Sequence, residues 1–306
     1  MDIDTSLLQR FEDGLDPQHL ERSEVPAELI GYGEISAIFR IGDAPVAYKR
    51  MPLFADRTEA QAYADMYREY CELLGRTGLT LPETETALVE IPGRPVALYL
   101  AQALLPAERI GNRLMHTLPA QDALALVERV VGEMKKVWAF NETVGPDLEI
   151  AMDGQISNWA LLESNGKEKI VYIDTSTPFI RKAGAHQLDP ELLLQAAPGF
   201  LRWLVRWLFV ADVLNRYYDP RLVLIDLTGN LFKEQLPDLV APVIDTINRA
   251  MGDDITPLTL EEVEKYYRED KFIWALFLFL RRMDRWLTTK LFRKRYEFIL
   301  PGKIKR

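Results

Sequence analysis

Hydrophobic and polar positions alternate in the first third of the chain. From Leu29 to Ile41, every second position is small or apolar, and polar residues fill most positions between them. A period of two is typical of β-strands, because successive side chains point to opposite faces of a sheet. Gly42 and Asp43 supply a turn, and a third strand begins at Val46. This part of the sequence therefore predicts antiparallel strands joined by short turns.

At residues 57–74, apolar residues recur every three or four positions instead of at every second position. This stretch contains no Gly or Pro, and its apolar spacing predicts a helix. A buried carboxylate is costly unless a cation pairs with it, and Glu69 is predicted to lie on the buried stripe. Lys49, on a neighbouring strand, is the expected partner. The apolar residues of the predicted stripe are Ala62, Met66 and Leu73.

Later segments complete the predicted sheet and then become helical. Strands at 85–91 and 95–104 flank a Pro92-Gly93 turn, and Asn165-Gly166 is a hairpin turn signal between two further short strands. The remaining pattern predicts helices, at residues 119–142, 199–218, 236–250, 259–270 and 271–296.

Composition narrows the class of protein. The 306 residues are 48% hydrophobic and 27% charged, which is typical of a globular protein with one large domain or two lobes. The single cysteine, Cys71, excludes an intramolecular disulfide framework, and no signal-peptide pattern follows Met1, so we expect a cytoplasmic protein. The apolar run Phe272 to Leu280 has nine residues and is too short to span a bilayer.

The net charge of −9 is unevenly distributed. An acidic total argues against nucleic acid as the main partner, because phosphate binding needs a basic surface. Residues 281–306 contain ten Lys or Arg against Asp284 and Glu297, so this tail carries +8 and residues 1–280 carry −17. We interpret the tail either as a basic helix lying on the acidic body or as a patch for an anionic membrane or an acidic protein.

Gly31 and Gly33 stand one residue apart at the start of the alternating region. Such a pair occurs either in a phosphate-binding loop or at the corner of a β-hairpin. A dinucleotide-binding loop leads from a strand into a helix, whereas here a strand follows and Ser36 occupies the third glycine position. The sequence therefore argues against a Rossmann fold.

Three side chains that carry oxygen ligands lie near the predicted hairpin at Asn165-Gly166. Asp153 stands before its first strand, Asn158 begins that strand, and Asp174 follows the second strand. Carboxylate and amide oxygens at strand ends suit a hard cation such as Mg²⁺ and can position a hydroxyl group.

In their order and spacing, these features resemble the protein-kinase-like superfamily, and within it the aminoglycoside-phosphotransferase and choline-kinase type. Each feature alone has a structural explanation, as a hairpin corner, an edge lysine or a turn, but one fold accounts for all of them. The resemblance covers about residues 28 to 180 and rests on Gly31 to Ser36 with the strand that follows, Val46 to Lys49, Glu69, Asp153 to Asn158, and Asp174.

This resemblance implies a bilobal α+β fold. The N-terminal lobe is expected to contain a five-stranded antiparallel sheet plus one helix, and the larger C-terminal lobe is expected to be mainly helical. The implied parts are an N-terminal helix and connector at 1–27, a nucleotide-binding lobe at 28–105, and a helical lobe with the catalytic loop and the basic C-terminal helix at 106–306.

The resemblance also implies a role for each matching residue. Asp153 is expected to orient or deprotonate an acceptor hydroxyl group, while Asn158 and Asp174 hold Mg²⁺. Lys49 is expected to neutralise the phosphates of ATP while Glu69 holds it in place. The other expected nucleotide contacts are Gly31, Tyr32, Gly33, Ser36 and, in the segment from Tyr99 to Ala103 that receives the adenine, Gln102.

The implied activity is an ATP- and Mg²⁺-dependent phosphotransferase that acts on a hydroxyl group of a small molecule or a modified peptide. Two positions depart from the pattern. Ala151 stands where the superfamily usually has a histidine, and Thr175-Ser176 follow Asp174 where protein kinases have Phe-Gly. The missing histidine keeps open the alternative of a pseudokinase, which binds a nucleotide or a partner without turnover.

Other candidate chemistry has weaker support. Asp226 and Asn230 form a rival acid and amide pair, but their spacing does not match the resemblance, and we interpret them as a helix-loop element of the C-terminal lobe. No Gly-x-Ser-x-Gly motif is present, and the three histidines lack the spacing of metal ligands, which argues against hydrolase and zinc sites. These histidines are His19, His116 and His186.

Overall fold

The N-terminal part of the chain forms one antiparallel sheet with a helix on each face. The computed structural model describes residues 1–33, 36–164, 166–189, 192 and 214–302. Its strands lie in the order β1-β2-β3-β5-β4, and every neighbouring pair is antiparallel, which confirms the predicted sheet. The elements are α1 (Thr5–Gly14), β1 (Ala27–Tyr32), β2 (Ala37–Ile41), β3 (Val46–Phe54), α2 (Arg57–Arg76), β4 (Thr84–Val89) and β5 (Val96–Ala103).

Because side chains alternate along a strand, neighbouring residues of β5 pack in two different hydrophobic cores, one on each face of the sheet. Leu98 and Leu100 of β5 belong to the core that contains the buried face of α2. Tyr99, between them, belongs to the core formed with α1, where the rings of Phe11 and Phe39 meet edge to face with centroids 5.3 Å apart. Both faces of the sheet are therefore covered, as the period of two in β5 requires.

The buried face of α2 differs from the predicted stripe. Ala62 is exposed, Met66 is half-buried, and the side chain of Glu69 is 41% exposed. Tyrosines dominate the buried face instead, because a tyrosine can bury its ring while its hydroxyl group finds a hydrogen-bond partner. The buried residues are Ala60, Tyr63, Ala64, Tyr67, Tyr70, Leu73 and Leu74.

A cluster of buried charges joins α1, the sheet and the C-terminal segment. We call Glu12, Arg50, Arg94 and Glu297 the sheet ion cluster. Arg50 Nε donates to Glu12 Oε2 at 2.7 Å, and Arg94 Nε donates to Glu297 Oε1 at 3.2 Å. Arg50 also donates to Glu297 Oε2 at 3.2 Å. Burial opposes ionisation of Glu12, but the two arginines outweigh it and hold the pKa of this carboxyl group below its ordinary value.

The C-terminal part is larger and mainly helical. The strands β7 and β8 form the predicted hairpin, and Gly166 in its turn has a φ of 69°. Element order and sheet topology confirm the predicted α+β fold, with a five-stranded antiparallel sheet in the N-terminal part and mostly helices in the C-terminal part. The described elements are α3 (Gly111–Thr117), α4 (Ala120–Val144), β6 (Leu148–Ile150), β7 (Trp159–Ser164), β8 (Lys167–Tyr172), β9 (Ile180–Lys182), β10 (Ala185–His186), α5 (Pro220–Lys233), α6 (Val240–Met251) and α7 (Leu260–Trp286).

One continuous helix, α7, replaces the two helices predicted at 259–270 and 271–296. It begins at a capping box formed by Thr259 and Glu262, and its sequence contains no Gly or Pro. Asp226 and Asn230, which we interpret from the sequence as a helix-loop element, both lie inside one continuous helix, α5. Most of the helix predicted at 199–218 falls outside the described residues.

The C-terminal tail is helical only at its beginning. After a π-helical turn, Leu287–Leu291, residues 293–302 have no regular secondary structure. Tyr296 and Ile299 in this segment are buried, and Ile299 packs in the core between α1 and the sheet. The predicted basic C-terminal helix is therefore wrong beyond the π-helical turn, because the chain turns back to cover the N-terminal sheet.

Candidate functional site

The glycine stretch forms the turn of the hairpin between β1 and β2. Gly31 and Tyr32 end β1, and Ser36 precedes β2. Gly33 N donates to Ser36 O at 3.1 Å. A Cβ atom on Gly33 would clash with Ser36 Oγ and lie 3.3 Å from Lys49 Cε, so the lack of a side chain lets the turn approach Lys49. The prediction that a strand follows the glycines is confirmed, since β2 begins at Ala37.

Lys49 pairs with Asp174 and not with Glu69. Its Nζ lies 3.0 Å from Asp174 Oδ1 and also donates to Ser176 Oγ. Glu69 instead pairs with Lys182 at 2.6 Å, and the two side chains are 41% and 45% exposed. The expected Lys49–Glu69 pair is therefore wrong, because Glu69 lies outside the buried face of α2. An ion pair as exposed as Glu69–Lys182 contributes little to stability.

Contacts from three elements hold the loop that carries Asp153. Asn141 of α4 accepts from Ile150 N at 3.0 Å and donates to Ile150 O at 2.8 Å. The hydroxyl group of Tyr172 accepts from Asp153 N at 3.2 Å. Gly154 packs so closely that a Cβ atom there would clash with side chains of α4 and α5. The backbone on both sides of Asp153 is thus fixed, which fixes the position of its carboxylate.

Asp153 shares the site with two other acids. We call Asp153, Asp174 and Asp226 the site acid cluster. Burial, and then repulsion from Asp226 and Asp174, raise the pKa of Asp153 to about 7. Gln155 links two members, since its backbone N donates to Asp153 Oδ1 and its side chain donates to Asp226 Oδ2, each at 3.1 Å. The sequence interpretation missed Asp226 as a member of the site, because its spacing from Asp153 along the chain carries no motif.

Asn158 immediately precedes β7 and Asp174 follows β8, so the two residues lie close together where these paired strands begin and end. Ile173 N donates to Asn158 O at 2.9 Å, and Asn158 Nδ2 donates to Asp153 O at 3.2 Å. Burial opposes ionisation of Asp174, but Lys49 and a neighbouring serine hydroxyl outweigh it and lower its pKa. The pKa values of Asp153 and Asp174 are thus shifted in opposite directions, an arrangement that suits one proton acceptor and one permanent anion.

Three tyrosines of α2 form hydrogen bonds with the two loops of the site. Tyr63 OH donates to Ser176 O at 2.7 Å, and Tyr70 OH donates to Ala151 O at 2.6 Å. Tyr67 OH accepts a hydrogen bond at 3.2 Å from the hydroxyl group of Thr175, which lies in the same loop as Ser176. Burial raises the pKa of all three phenols, so they stay protonated. The spacing of four and three residues was the signal in the sequence that could have identified them.

Two cavities meet at the Lys49–Asp174 pair. A cavity of about 460 Å³ extends under the sheet and is lined by Ala47 and Leu100, among others. A second cavity, of about 310 Å³, includes Asp153 and extends toward the side chains of α5 and α7. The residues that line both cavities are Tyr32, Gly33, Lys49, Ser157, Asn158, Asp174 and Ser176.

The segment expected to receive adenine divides between the two faces of the sheet. Leu100, Gln102 and Ala103 line the larger cavity, and Gln102 Nε2 also donates to Ile173 O at 2.9 Å. Tyr99 faces the opposite side, where its hydroxyl group donates to the carboxylate of Glu12 in the sheet ion cluster. The cavity is thus lined by the C-terminal end of β5, and the contact between Gln102 and Ile173 connects β5 to the loop before Asp174.

The chain is similar to one protein family and to several solved structures. The model of a family described as "Family of unknown function (DUF6206)" matches residues 15–285. No curated protein gives a significant match to the sequence.

Three solved structures illustrate the structural similarity. The GDP complex of aminoglycoside 2'-phosphotransferase-IIIa is 9% identical, with a TM-score of 0.38 and coverage of 82% of this chain and 98% of that chain. WaaP in complex with acyl carrier protein is 14% identical, with a TM-score of 0.34 and coverage of 79% and 95%. A double mutant of the Mycobacterium tuberculosis PknI kinase domain is 16% identical, with a TM-score of 0.32 and coverage of 68% and 71%.

Proposed function

We propose that this chain, which belongs to the family of unknown function DUF6206, is a phosphotransferase that moves the γ-phosphoryl group of ATP to a hydroxyl group of a small molecule or a modified peptide. The observation that carries the proposal is the junction of the two cavities. Lys49, Asn158 and Asp174 line both of them, whereas Asp153 lines only the smaller one. Such a junction suits a reaction in which a charged group passes from one bound molecule to another.

The larger cavity suits the nucleotide. Apolar side chains such as Ala47 and Leu100 offer an apolar lining against which a base can pack, and Gly31 and Gly33 allow the backbone to approach phosphate oxygens. Lys49 would neutralise those phosphates at the junction. We retain residues 28–105 as the proposed nucleotide-binding lobe and residues 106–306 as the proposed lobe for the acceptor.

The smaller cavity suits the acceptor. Asp153 has a pKa of about 7, so its carboxylate is poised to accept a proton near neutral pH. In the proposed step, the acceptor oxygen forms a bond to the γ-phosphorus, the bond from that phosphorus to the β–γ bridging oxygen breaks, and the hydroxyl proton goes to Asp153. ADP is the leaving group. Most of the catalysis comes from positioning and from the charge of Lys49.

The donor set fits Mg²⁺ bound together with a nucleotide. Hydrogen bonds to the Asp174 carboxylate use Oδ1, and Asn158 donates through Nδ2, which leaves Asp174 Oδ2 and Asn158 Oδ1 as oxygen donors. Among the described residues, no group of three or more His, Cys, Asp or Glu side chains could hold a metal ion. A site with two protein ligands is the usual arrangement for Mg²⁺, which keeps waters and phosphate oxygens as its other ligands and supplies positive charge to the phosphates.

A thermal-shift titration with ATP and Mg²⁺ tests nucleotide binding. We expect wild type to melt at a higher temperature with ATP and Mg²⁺ together than with either alone, because binding to the native state stabilises it. The Asp174→Asn variant should lose most of this shift, whereas Asp245→Asn, which changes an exposed aspartate of α6, should retain it. A wild-type protein that does not respond to ATP would contradict the nucleotide site.

Turnover separates the enzyme from the pseudokinase. A metabolite panel screened for ATP consumption should identify an acceptor, and Asp153→Asn should then lower kcat by roughly 10²–10⁴-fold while the thermal shift with ATP persists. A pseudokinase would show the thermal shift but no ATP consumption that Asp153→Asn reduces. Because binding and turnover are measured separately, each part of the proposal can fail by itself.

A further inference from the structure

The most exposed apolar side chains in the described part of the chain lie on α7 and the turn that follows it. Three of them are seven residues apart in the sequence and therefore share one face of the helix. Large exposed apolar side chains that share one face of a helix are a frequent mark of an interaction site. These residues are between 58% and 69% exposed: Phe272, Phe279, Trp286, Leu291 and Phe292.

Basic side chains border the C-terminal end of this apolar stripe. Exposed Arg282 lies between two of its aromatic residues on the same face, and Lys290 and Lys294 follow, also exposed. An open groove of about 750 Å³ runs beside Trp286, and Asp16 is the one acid among its lining residues. The basic residues that line this groove are Arg282, Arg285, Lys290, Lys294 and Arg295.

Not every cation of the groove is available to a partner. Arg295 already donates to Glu297 Oε1 at 2.7 Å and to the carbonyl oxygen of Leu15. Among the described residues, Lys290 and Lys294 form no side-chain ion pair, and both are exposed beside Trp286. We call Phe279, Arg282, Trp286, Lys290, Leu291, Phe292 and Lys294 the aromatic-basic surface.

We propose that the aromatic-basic surface docks this protein on membranes that contain anionic lipids. Tryptophan and phenylalanine side chains bury favourably at the boundary between headgroups and acyl chains, and lysine and arginine pair with lipid phosphates at the same depth. Within the described ranges, the helices all lack the length and apolar character needed to cross a membrane. The proposal is independent of the phosphotransferase activity.

The charge distribution gives the docking an orientation. Residues 1–280 carry a net charge of −17, whereas the tail carries +8. An anionic membrane repels the acidic body and attracts the tail, so the aromatic-basic surface faces the lipid. An acidic protein would satisfy the cations, but the projecting Trp286, Leu291 and Phe292 would gain nothing from charge alone. The combination of both features on one surface favours the lipid.

Co-sedimentation with vesicles tests the proposal on the full chain. Vesicles of phosphatidylcholine alone are compared with vesicles that also contain phosphatidylserine. We expect binding only to the second kind, and weaker binding at high salt. Trp286→Ser/Phe292→Ser and Lys290→Glu/Lys294→Glu should each weaken binding by about tenfold or more, because one variant removes apolar burial and the other reverses charge.

Matched controls lie at the other end of the same helix. Leu260→Ser and Lys265→Glu change an exposed apolar and an exposed basic residue of α7, and both variants should bind like wild type. Unchanged melting temperatures and ATP thermal shifts would show that the double variants are folded.

Three results would overturn the lipid proposal. The first is a wild-type protein that does not sediment with phosphatidylserine vesicles. The second is loss of binding in Lys290→Glu/Lys294→Glu but not in Trp286→Ser/Phe292→Ser, since binding by charge alone would contradict docking through the apolar side chains of the aromatic-basic surface. The third is a wild-type dimer in sedimentation velocity that Phe272→Ser/Phe279→Ser converts to a monomer, which would assign the stripe to a second copy of this chain.

Discussion

Two consecutive residues of β3 point into two charged regions with opposite character. Arg50 points to the face of the sheet covered by α1 and belongs to the sheet ion cluster. Lys49 points to the other face, toward the site acid cluster, where it contacts Asp174. The strand period of two separates the regions by the thickness of one sheet.

The two regions differ in how their charges are matched. The sheet ion cluster contains two arginines and two glutamates that bind one another, and their side chains are at most 12% exposed. The site acid cluster contains three acids. Asp174 is paired with Lys49, whereas burial and then repulsion from the other two acids raise the pKa of Asp153. Removing one member of a matched buried pair destabilises a fold because it leaves an unpaired buried charge, whereas acids held together in excess are a frequent sign of a functional site.

The largest expected effect is the loss of a matched charge. Arg50→Met leaves Glu12 and Glu297 with one fewer partner in a buried place, so we expect the free energy of unfolding to fall by roughly 3–5 kcal/mol. Arg40→Met is the matched control on β2, because its partner Glu28 is 59% exposed and the pair contributes little. Urea denaturation of both variants measures the difference. Similar losses in the two variants would contradict the distinction.

The pH dependence of stability should have opposite signs in the two regions. The pKa of Glu12 is lowered from 4.5, so the stability it contributes is present above that pH and is lost as the pH falls through the lower folded value. Glu12→Gln should cost on the order of 2 kcal/mol at pH 7 and progressively less below pH 4.5.

Asp153 provides the opposite case. Its pKa is raised from 3.8 to about 7, so the native protein retains a proton that the unfolded chain has lost, and stability falls as the pH rises through this window. Asp153→Asn lacks this loss. We expect it to be more stable than wild type at pH 7 and above, by a margin that grows as the pH rises from 4 to 7, and to match it near pH 4. Thermal melts from pH 4 to pH 8 measure both variants, and a destabilised Asp153→Asn at pH 8 would contradict the excess of acid.

The smallest expected effect concerns the tyrosine that supports the site. Tyr70→Phe removes the hydrogen bond to Ala151 O and should cost about 1 kcal/mol of stability. Tyr296→Phe, which changes another buried tyrosine, outside the site, is the control for stability. If Tyr70 positions the Asp153 loop, only its variant should lower kcat with KM unchanged and shift the pH profile of the rate. Equal kinetics in both variants would leave Tyr70 a purely structural role.

Local patterns carried much of the correct prediction. The period of two identified the strands around the glycine turn, and these are readable from sequence because strand alternation and turn residues act within a few positions of the chain. The resemblance to the protein-kinase-like superfamily implied that Lys49, Asp153, Asn158 and Asp174 share one site, and the structure brings these four residues together.

The predictions failed where the burial or the pairing of a side chain depends on segments that are distant in the sequence. Glu69 was assigned to a buried face by aliphatic spacing, but the bulky tyrosines of α2 occupy that face. Asp226 enters the site only because α5 packs against the Asp153 loop at Gly154. Neither outcome has a local signal, since burial of a carboxylate depends on which groups from other elements surround it.

The sequence by itself determined the sheet, the hairpin turns, the order of the site residues and the concentration of basic charge in the tail. Only the tertiary structure decided which charges are matched. In the folded protein, Arg50 pairs with Glu12 and Glu297, Lys49 pairs with Asp174, and Asp226 lies beside Asp153. The physical reason is range: hydrophobic periodicity and turn propensity act between neighbours in the chain, whereas electrostatic interactions and burial depend on distances in space.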